Sequence, residues 1–117
     1  MSTITESPWV REFPGAITVC DAEGIILSMN DKSVEAFEAQ GGRGLIGSNL
    51  LDCHPEPSRS KLRRLLESQE KNVYTIEKAG VRKLIYQTPW CREGKYAGLV
   101  EIALELPAAM PHFVRDG

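Results

Sequence analysis

The sequence predicts an α+β fold in which helices pack on one face of a five-stranded antiparallel sheet. Two apolar, β-rich segments lie near the start of the chain and three lie near its end, with helical patterns between them. Two β regions on either side of a helical middle share a core when their strands join in a single sheet. One face of an antiparallel sheet needs a cover, which the helices can supply.

The first forty residues predict a short helix, a hairpin and a second helix. Ser7 can cap the first helix, and Pro8 suits its first turn. Two β-rich segments around a short turn that contains Gly24 indicate a β-hairpin. Asn30 then caps the second helix. The predicted elements are a helix over residues 8–12, strands over 16–20 and 25–29, and a helix over 32–40.

The rest of the chain predicts two further helical segments and three strands. The glycine-rich run at 41–44 ends the preceding helix, and Pro55 and Pro57 end a helical turn. Leu62 and Leu66 lie on one side of an amphipathic helix, with charged residues on the other side. These elements are a helical turn over residues 49–53, a helix over 59–69, and strands over 73–78, 81–90 and 96–106.

The last strand alternates strictly between two faces. One face carries Gly98 and then Val100, Ile102, Leu104 and Leu106, and the other carries Leu99, Glu101, Ala103 and Glu105. Because the second set contains two carboxylates, we expect it to form the free face of the sheet. Both carboxylates are then exposed to solvent.

Composition indicates one small domain and excludes several classes of partner. The chain has 117 residues and a net charge of −2, which does not favour binding to nucleic acid or to an anionic membrane. Three cysteines without a CxxC pair predict neither a disulfide framework nor a zinc site. We therefore expect a cytoplasmic protein with reduced thiols, comprising a cap helix over residues 1–12, a domain over 13–107 and a tail over 108–117.

Three segments together resemble a PAS domain. They are FPGAITVCDAEGIILSMND, NLLDCHPEPSRSKLRRLLES and YAGLVEIALEL, and the resemblance extends over residues 13–106. The second segment is similar to a subgroup with a Cys-His-Pro turn before its long helix. The resemblance implies a sensory module that binds haem, flavin, a small metabolite or nothing, and that often dimerises. We expect a stand-alone module, because no output domain is attached.

The resemblance also implies a ligand pocket between the sheet and the central helices. His54 would serve there as an axial haem ligand or a hydrogen-bond donor, or it braces a loop beside two prolines. Cys53 lacks the Asn-Cys-Arg context of a photoactive flavin domain, so flavin is the less expected cofactor, after haem or a small apolar metabolite. Tyr86 and Thr88 suit a pocket and cross-strand packing equally well. The predicted binding residues are Leu50, Cys53, His54, Leu66, Tyr86 and Thr88.

Two functions remain open from the sequence. The first is a sensor that binds a small ligand and acts on a separate partner protein, and the second is a ligand-free interaction or dimerisation module. An enzyme is not expected, because the sequence shows no nucleophile–base pair and no metal cluster. We also expect a homodimer built on Trp9 and Phe13 of the first helix and on the free sheet face. The apolar tail residues Met110, Phe113 and Val114 extend that surface.

Overall fold

A computed structural model describes residues 7–117 of the chain. The predicted cap helix over residues 1–12 lies partly outside the described residues. In order, the helices and strands of the described part are α1 (Pro8–Arg11), β1 (Ala16–Asp21), β2 (Ile26–Met29), α2 (Asp31–Ala36), α3 (Ser58–Ser68), β3 (Asn72–Lys78), β4 (Val81–Arg92) and β5 (Lys95–Glu105). Short 3₁₀ helices at Glu38–Gln40, Gly42–Leu45 and Leu50–Cys53 connect α2 to α3.

The five strands form one antiparallel sheet in the order β2-β1-β5-β4-β3. The N-terminal hairpin therefore lies directly against the closing strand, and β5 occupies the centre of the sheet. The 3₁₀ helices, α2 and α3 lie together against one face, which we call the covered face; the opposite side is the open face. The predicted α+β fold, with helices on one face of a five-stranded antiparallel sheet, is confirmed.

Asn30 connects the first turn of the chain to the sheet and to α2. Its side chain is fully buried. The side-chain oxygen accepts bonds from the backbone N–H groups of Ile17 (2.9 Å) and Ser33 (3.1 Å). Its amide nitrogen donates to the carbonyl oxygens of Val10 (3.0 Å) and Gly15 (2.8 Å). One side chain thus uses both of its donors and both acceptor positions, and it is the predicted cap of α2.

The helix predicted over residues 32–40 is shorter in the structure. It ends at Ala36, and a 3₁₀ turn over Glu38–Gln40 follows. The carbonyl oxygen of Phe37 accepts bonds from the N–H groups of Gln40 and Gly42, which closes the chain into tight turns. The glycine-rich run therefore changes the chain direction earlier than its sequence position suggested, and these turns form one wall of the space above the sheet.

Gly98 allows β1 and β5 to approach closely beside the core. Its φ is +148°, and a Cβ at this position would collide with the carbonyl oxygen of Cys20. The same carbonyl oxygen accepts a hydrogen bond from the indole N–H of Trp90, with an N–O distance of 3.0 Å. These contacts hold β1, β5 and β4 together beside Leu99, which packs with Cys20 in the core.

The assignment of the two faces of β5 corrects one expectation. Leu99 is 5 % exposed and lies on the covered face together with Glu101, so the face predicted to be free is the one under the helices. The alternation was predicted correctly, but both faces of β5 carry apolar residues, and alternation alone does not say which is covered. The open face carries apolar side chains that are half-buried: Ile17, Val19, Tyr86, Val100, Ile102 and Leu104.

Residues 107–117 form no helix or strand and are exposed. The apolar tail residues Met110, Phe113 and Val114 are 62 %, 70 % and 79 % exposed, and Trp9 in α1 is 69 % exposed. The proposed division of the chain at residues 12 and 107 stays a prediction. Within residues 7–117, no helix has the length and apolar character needed to cross a membrane.

Candidate functional site

A cavity of about 180 Å³ lies between the covered face and the segment that contains the 3₁₀ helices and α3. Most of its wall is apolar, as in protein sites for small molecules, which combine apolar walls with a few placed polar groups. The apolar lining includes Ile26, Met29, Leu45, Leu50, Leu62 and Leu99. The polar lining comprises Thr18, Gln40, His54, Gln87 and Glu101.

The polar side chains of the cavity floor belong to one row across the sheet. Register pairs Thr18 with Glu101, Glu101 with Gln87, and Gln87 with Asn72, so these residues of four strands lie side by side. Asn72 donates to the side-chain oxygen of Gln87 at 2.8 Å, and the Gln87 amide nitrogen donates to Glu101 Oε2 at 2.7 Å. An ionised carboxylate only accepts hydrogen bonds, so Glu101 fixes the orientation of both amides.

Thr18 ends this row with a bond to the helical layer. Its hydroxyl is hydrogen-bonded to the hydroxyl of Ser33 in α2, and both residues are buried. That bond positions α2 over β1. Since the Thr18 hydroxyl is engaged there, Gln87 is the hydrogen-bond partner of Glu101 within the described residues.

His54 both braces a turn and lines the cavity. Its Nδ1 lies 2.7 Å from the carbonyl oxygen of Leu50, which can only accept, so Nδ1 carries the proton of this bond. The Arg59 guanidinium donates from Nε to the carbonyl oxygens of Leu51 (2.8 Å) and His54 (3.0 Å). The ring is therefore fixed in orientation, and in its neutral form Nε2 is a hydrogen-bond acceptor.

The structure brings together three of the six predicted binding residues. Leu50, Cys53 and His54 line the cavity. Leu66 is buried in the adjoining core, where it packs with Cys20 and Leu99.

Tyr86 and Thr88 lie on the other side of the sheet. They pair with Ile102 and Val100 of the open face, so neither reaches the cavity. Because side chains alternate along β4, the residue between them, Gln87, lines the cavity instead. Sequence reasoning missed Thr18, Gln87 and Glu101 as cavity residues. Their shared signal is polar side chains at corresponding positions of three neighbouring strands, which shows only when the register is known.

A wider groove of about 360 Å³ adjoins the cavity on the side of α3 and β3. His54, Leu62 and Gln87 line both spaces, so these three side chains form the partition between them. The groove is more polar and is also lined by Ser58, Lys61, Leu65, Asn72 and Tyr74. The groove and the cavity therefore adjoin at the side chains of His54, Leu62 and Gln87.

Burial controls the acidity of the groups beside the cavity. It raises the pKa of the Cys20 thiol to about 11, with further contributions from the negative charges of Asp21 and Glu101. The pKa of Tyr74 is raised, first by burial and then by the charge of Glu101. A protonated thiol is a poor nucleophile, so Cys20 serves as a core residue at neutral pH. Among residues 7–117, no cluster of His, Cys, Asp or Glu has the arrangement of a metal site.

The cavity does not fit the larger cofactors considered from the sequence. Sites for drug-sized ligands begin at roughly 300 Å³. Haem and flavin ring systems need at least that much space, whereas this cavity measures about 180 Å³. The orientation of His54 would suit an axial ligand, but the enclosed volume beside it does not hold a haem. The cavity is suited to a much smaller molecule.

Comparison with known proteins finds solved structures with a similar fold. No family model matches the chain, and the search of curated proteins finds no match. Among solved structures, the C-terminal domain of a protein from Streptococcus mutans is 22% identical over 82% of this chain and 78% of its own, with a TM-score of 0.67. The PAS domain of Bordetella pertussis BvgS is 16% identical over 84% and 81%, with a TM-score of 0.62.

A third similar structure is the Aer2 receptor from Vibrio cholerae, described as a dual PAS-heme oxygen sensor. It is 16% identical over 80% of this chain and 95% of its own, with a TM-score of 0.57. These likenesses show that the chain has the fold of PAS sensory domains.

Proposed function

We propose that this chain is a PAS-type sensory module that binds a small molecule in the cavity and acts on a separate partner protein. The observation that supports this proposal is the cavity itself, an apolar space of about 180 Å³ with polar groups on its floor. Protein cores are normally packed to the density of organic crystals, with few voids larger than a water molecule. A space of this size beside the core would cost stability unless a ligand occupies it at some stage.

The size of the cavity sets the first test. An apolar cavity of about 150 Å³ in another protein binds benzene or xenon, so benzene is a suitable probe here. We expect benzene to shift the amide NMR signals of residues around the cavity and to raise the melting temperature. The variant Leu45→Trp fills the cavity from its wall and should abolish both effects. Ile46→Trp is the matched control, because Ile46 is 39 % exposed and does not line the cavity.

Two results would overturn the ligand-binding function. One is the absence of any cavity shift in benzene-saturated buffer, and the other is an equal response from the two tryptophan variants. Native mass spectrometry before and after denaturation complements this test, because it measures the mass of any ligand that copurifies with the chain.

A second proposed function is homodimerisation through the open face. It is supported by apolar side chains that stay half-buried on that face, including Val100 and Ile102 at the centre of the sheet. A two-fold contact is the commonest way to cover such a surface. We expect a 26 kDa species in sedimentation velocity, twice the 13.0 kDa of one chain, and its loss in Ile102→Glu. The same substitution at Ile46, which lies outside the sheet, should leave association unchanged; a natural chain that stays monomeric at micromolar concentration contradicts the dimer.

The remaining parts of the proposal rest on the sequence. They are a cytoplasmic location, a signalling rather than an enzymatic role, the absence of nucleic-acid and membrane partners, and membership of the Cys-His-Pro subgroup. The free cysteines support the cytoplasmic location, and the negative net charge supports the absence of nucleic-acid and membrane partners.

A further inference from the structure

We propose that the ligand is a small apolar molecule carrying a protonated amine or a comparable N–H donor, which binds the carboxylate of Glu101. This inference rests on the proposed ligand-binding function and specifies its chemical class. The apolar part of the molecule fills the cavity, and the nitrogen lies at the floor.

Within residues 7–117, Glu101 has no cationic partner. The ion pairs among the described residues join Arg11 and Arg43 to Asp31, and Lys32 to Glu35. Glu101 accepts one hydrogen bond, from Gln87 to its Oε2. Within residues 7–117, its Oε1 accepts no hydrogen bond, and it is free to accept a donor from the cavity.

The carboxylate of Glu101 lies where an unpaired charge is unfavourable. Glu101 is half-buried in the central strand of the sheet, beneath a largely apolar space. An ionised carboxylate removed from water is costly unless a partner compensates it. Its charge also contributes, after burial, to the raised pKa values of Tyr74 and Cys20, which lie on either side of it in the sheet. The floor of the cavity is therefore electronegative.

The charges around the cavity disfavour an anionic ligand. Among the described residues, no lysine or arginine lines the cavity, and the adjoining groove contributes a single lysine, Lys61, which is exposed. An anionic ligand would meet Glu101 without a compensating cation. A neutral ligand with only acceptor groups would leave the carboxylate unpaired. A nitrogen donor satisfies the free carboxylate oxygen and, when charged, compensates its charge.

The volume of the cavity limits the size of the ligand. The cavity accommodates about one six-membered ring with a short substituent, since it is slightly larger than a cavity that holds benzene. Benzylamine, benzyl alcohol and benzoate have nearly the same shape and differ in charge at the substituent. They are the probes of choice, because any difference in their binding reports mainly the polar end of the site.

The test measures the dissociation constants of the three probes by NMR titration at pH 7 and low salt. For the natural chain we expect benzylamine to bind about tenfold or more tightly than benzyl alcohol, since hydrogen bonds to charged groups are roughly twice as strong as neutral ones. Benzoate should bind most weakly. In Glu101→Gln the difference between benzylamine and benzyl alcohol should fall to about twofold or less.

Glu105→Gln is the matched control. Glu105 lies on the same strand and carries the same charge, but it is exposed and does not line the cavity, so the preference for benzylamine should persist. Equal binding of benzylamine and benzyl alcohol, or an equal loss of the preference in both variants, would overturn the inference. Failure of benzene and of all three probes would instead overturn the proposed ligand-binding function, so the two failures are distinguishable.

Discussion

The covered face of the sheet contains a row of polar side chains within an otherwise apolar core, whereas the open face carries apolar side chains that no helix covers. Under the helices, the central row carries Thr18, Glu101, Gln87 and Asn72. On the open face, Ile17, Val100 and Ile102 remain half-exposed. Burial normally selects for apolar side chains, so the covered polar row and the uncovered apolar residues are both exceptions. These two exceptions underlie the two proposed partners, a small molecule with a polar group at the covered face and a second copy of the chain at the open face.

The covered face is itself divided into two parts. Buried polar groups near α2, such as Asn30 and the Thr18–Ser33 pair, are fully hydrogen-bonded within the chain. Glu101, farther along the same row, lines the cavity, and within residues 7–117 its Oε1 accepts no hydrogen bond. Polar burial near α2 therefore stabilises the fold, while polar burial at Glu101 is available for recognition. The following predictions separate stabilising positions from the others.

The largest effect is expected from Asn30→Ala. Four backbone groups lose their partner, and an unsatisfied buried group costs about 1–3 kcal/mol, so we expect a loss of about 4 kcal/mol in the free energy of unfolding. Urea denaturation measures it. Asn49→Ala is the control: Asn49 also caps a helical turn, through Leu51, but it is less buried, and its loss should cost about 1 kcal/mol. Similar losses for the two variants would show that Asn30 is not the main connection.

The next effect compares neighbouring residues on opposite faces. Leu99→Ala removes a core side chain and should cost about 3 kcal/mol. Val100→Ala removes a half-exposed side chain one residue later and should cost about 1 kcal/mol or less. Both values come from urea denaturation at a protein concentration where the chain is monomeric. Equal losses would contradict the assignment of the covered and open faces.

The smallest of the three effects is a pH dependence that arises from Cys20. Its folded-state pKa is about 11 against 9.0 for an unperturbed thiol, so deprotonation favours the unfolded chain as pH rises above 9. The stabilisation is complete below pH 9 and is lost towards pH 11, with a limit of about 2.7 kcal/mol for a shift of two units.

The measurement for Cys20 is the free energy of unfolding from pH 8 to 11.5, compared between the natural chain and Cys20→Ala. The natural chain should lose more stability over this range than the variant. Cys91→Ala controls for the loss of an exposed thiol. Parallel pH curves for the natural chain and Cys20→Ala would refute the burial of an un-ionised thiol on the covered face.

Much of this architecture follows from local signals in the sequence. Signals such as capping by Asn30, the hairpin turns and the alternation in β5 predicted the five strands and three α-helices in their observed order, and the strand limits differ from the structure by one or two residues. The 3₁₀ helices at Glu38–Gln40 and Gly42–Leu45 were not predicted. The identity of the covered face did not follow, because β4 and β5 carry apolar residues on both faces. Because of this ambiguity, Tyr86 and Thr88 were predicted to line the cavity in place of Gln87, and Glu101 was predicted to be exposed to solvent.

His54 shows the second kind of limit. A histidine between a helical turn and two prolines was open to two interpretations, loop bracing or ligand contact. The structure assigns the two roles to different ring atoms: Nδ1 binds the Leu50 carbonyl oxygen, while the ring borders the cavity. Cavity volume is likewise a property of packed side chains, so the preference for a molecule smaller than haem emerges only from three-dimensional contacts.

The orientation of the Gln87 side-chain amide depends on the residue at the end of the polar row, Glu101. A carboxamide has a donor side and an acceptor side, and rotation by half a turn exchanges them. Glu101 at one end selects the orientation, and Asn72 at the other end must match it. Neutralising Glu101 removes the selection, so the two orientations become closer in energy. The orientation of the Gln87 amide therefore depends on Glu101, and it is matched at the other end by Asn72 in an edge strand beside the groove.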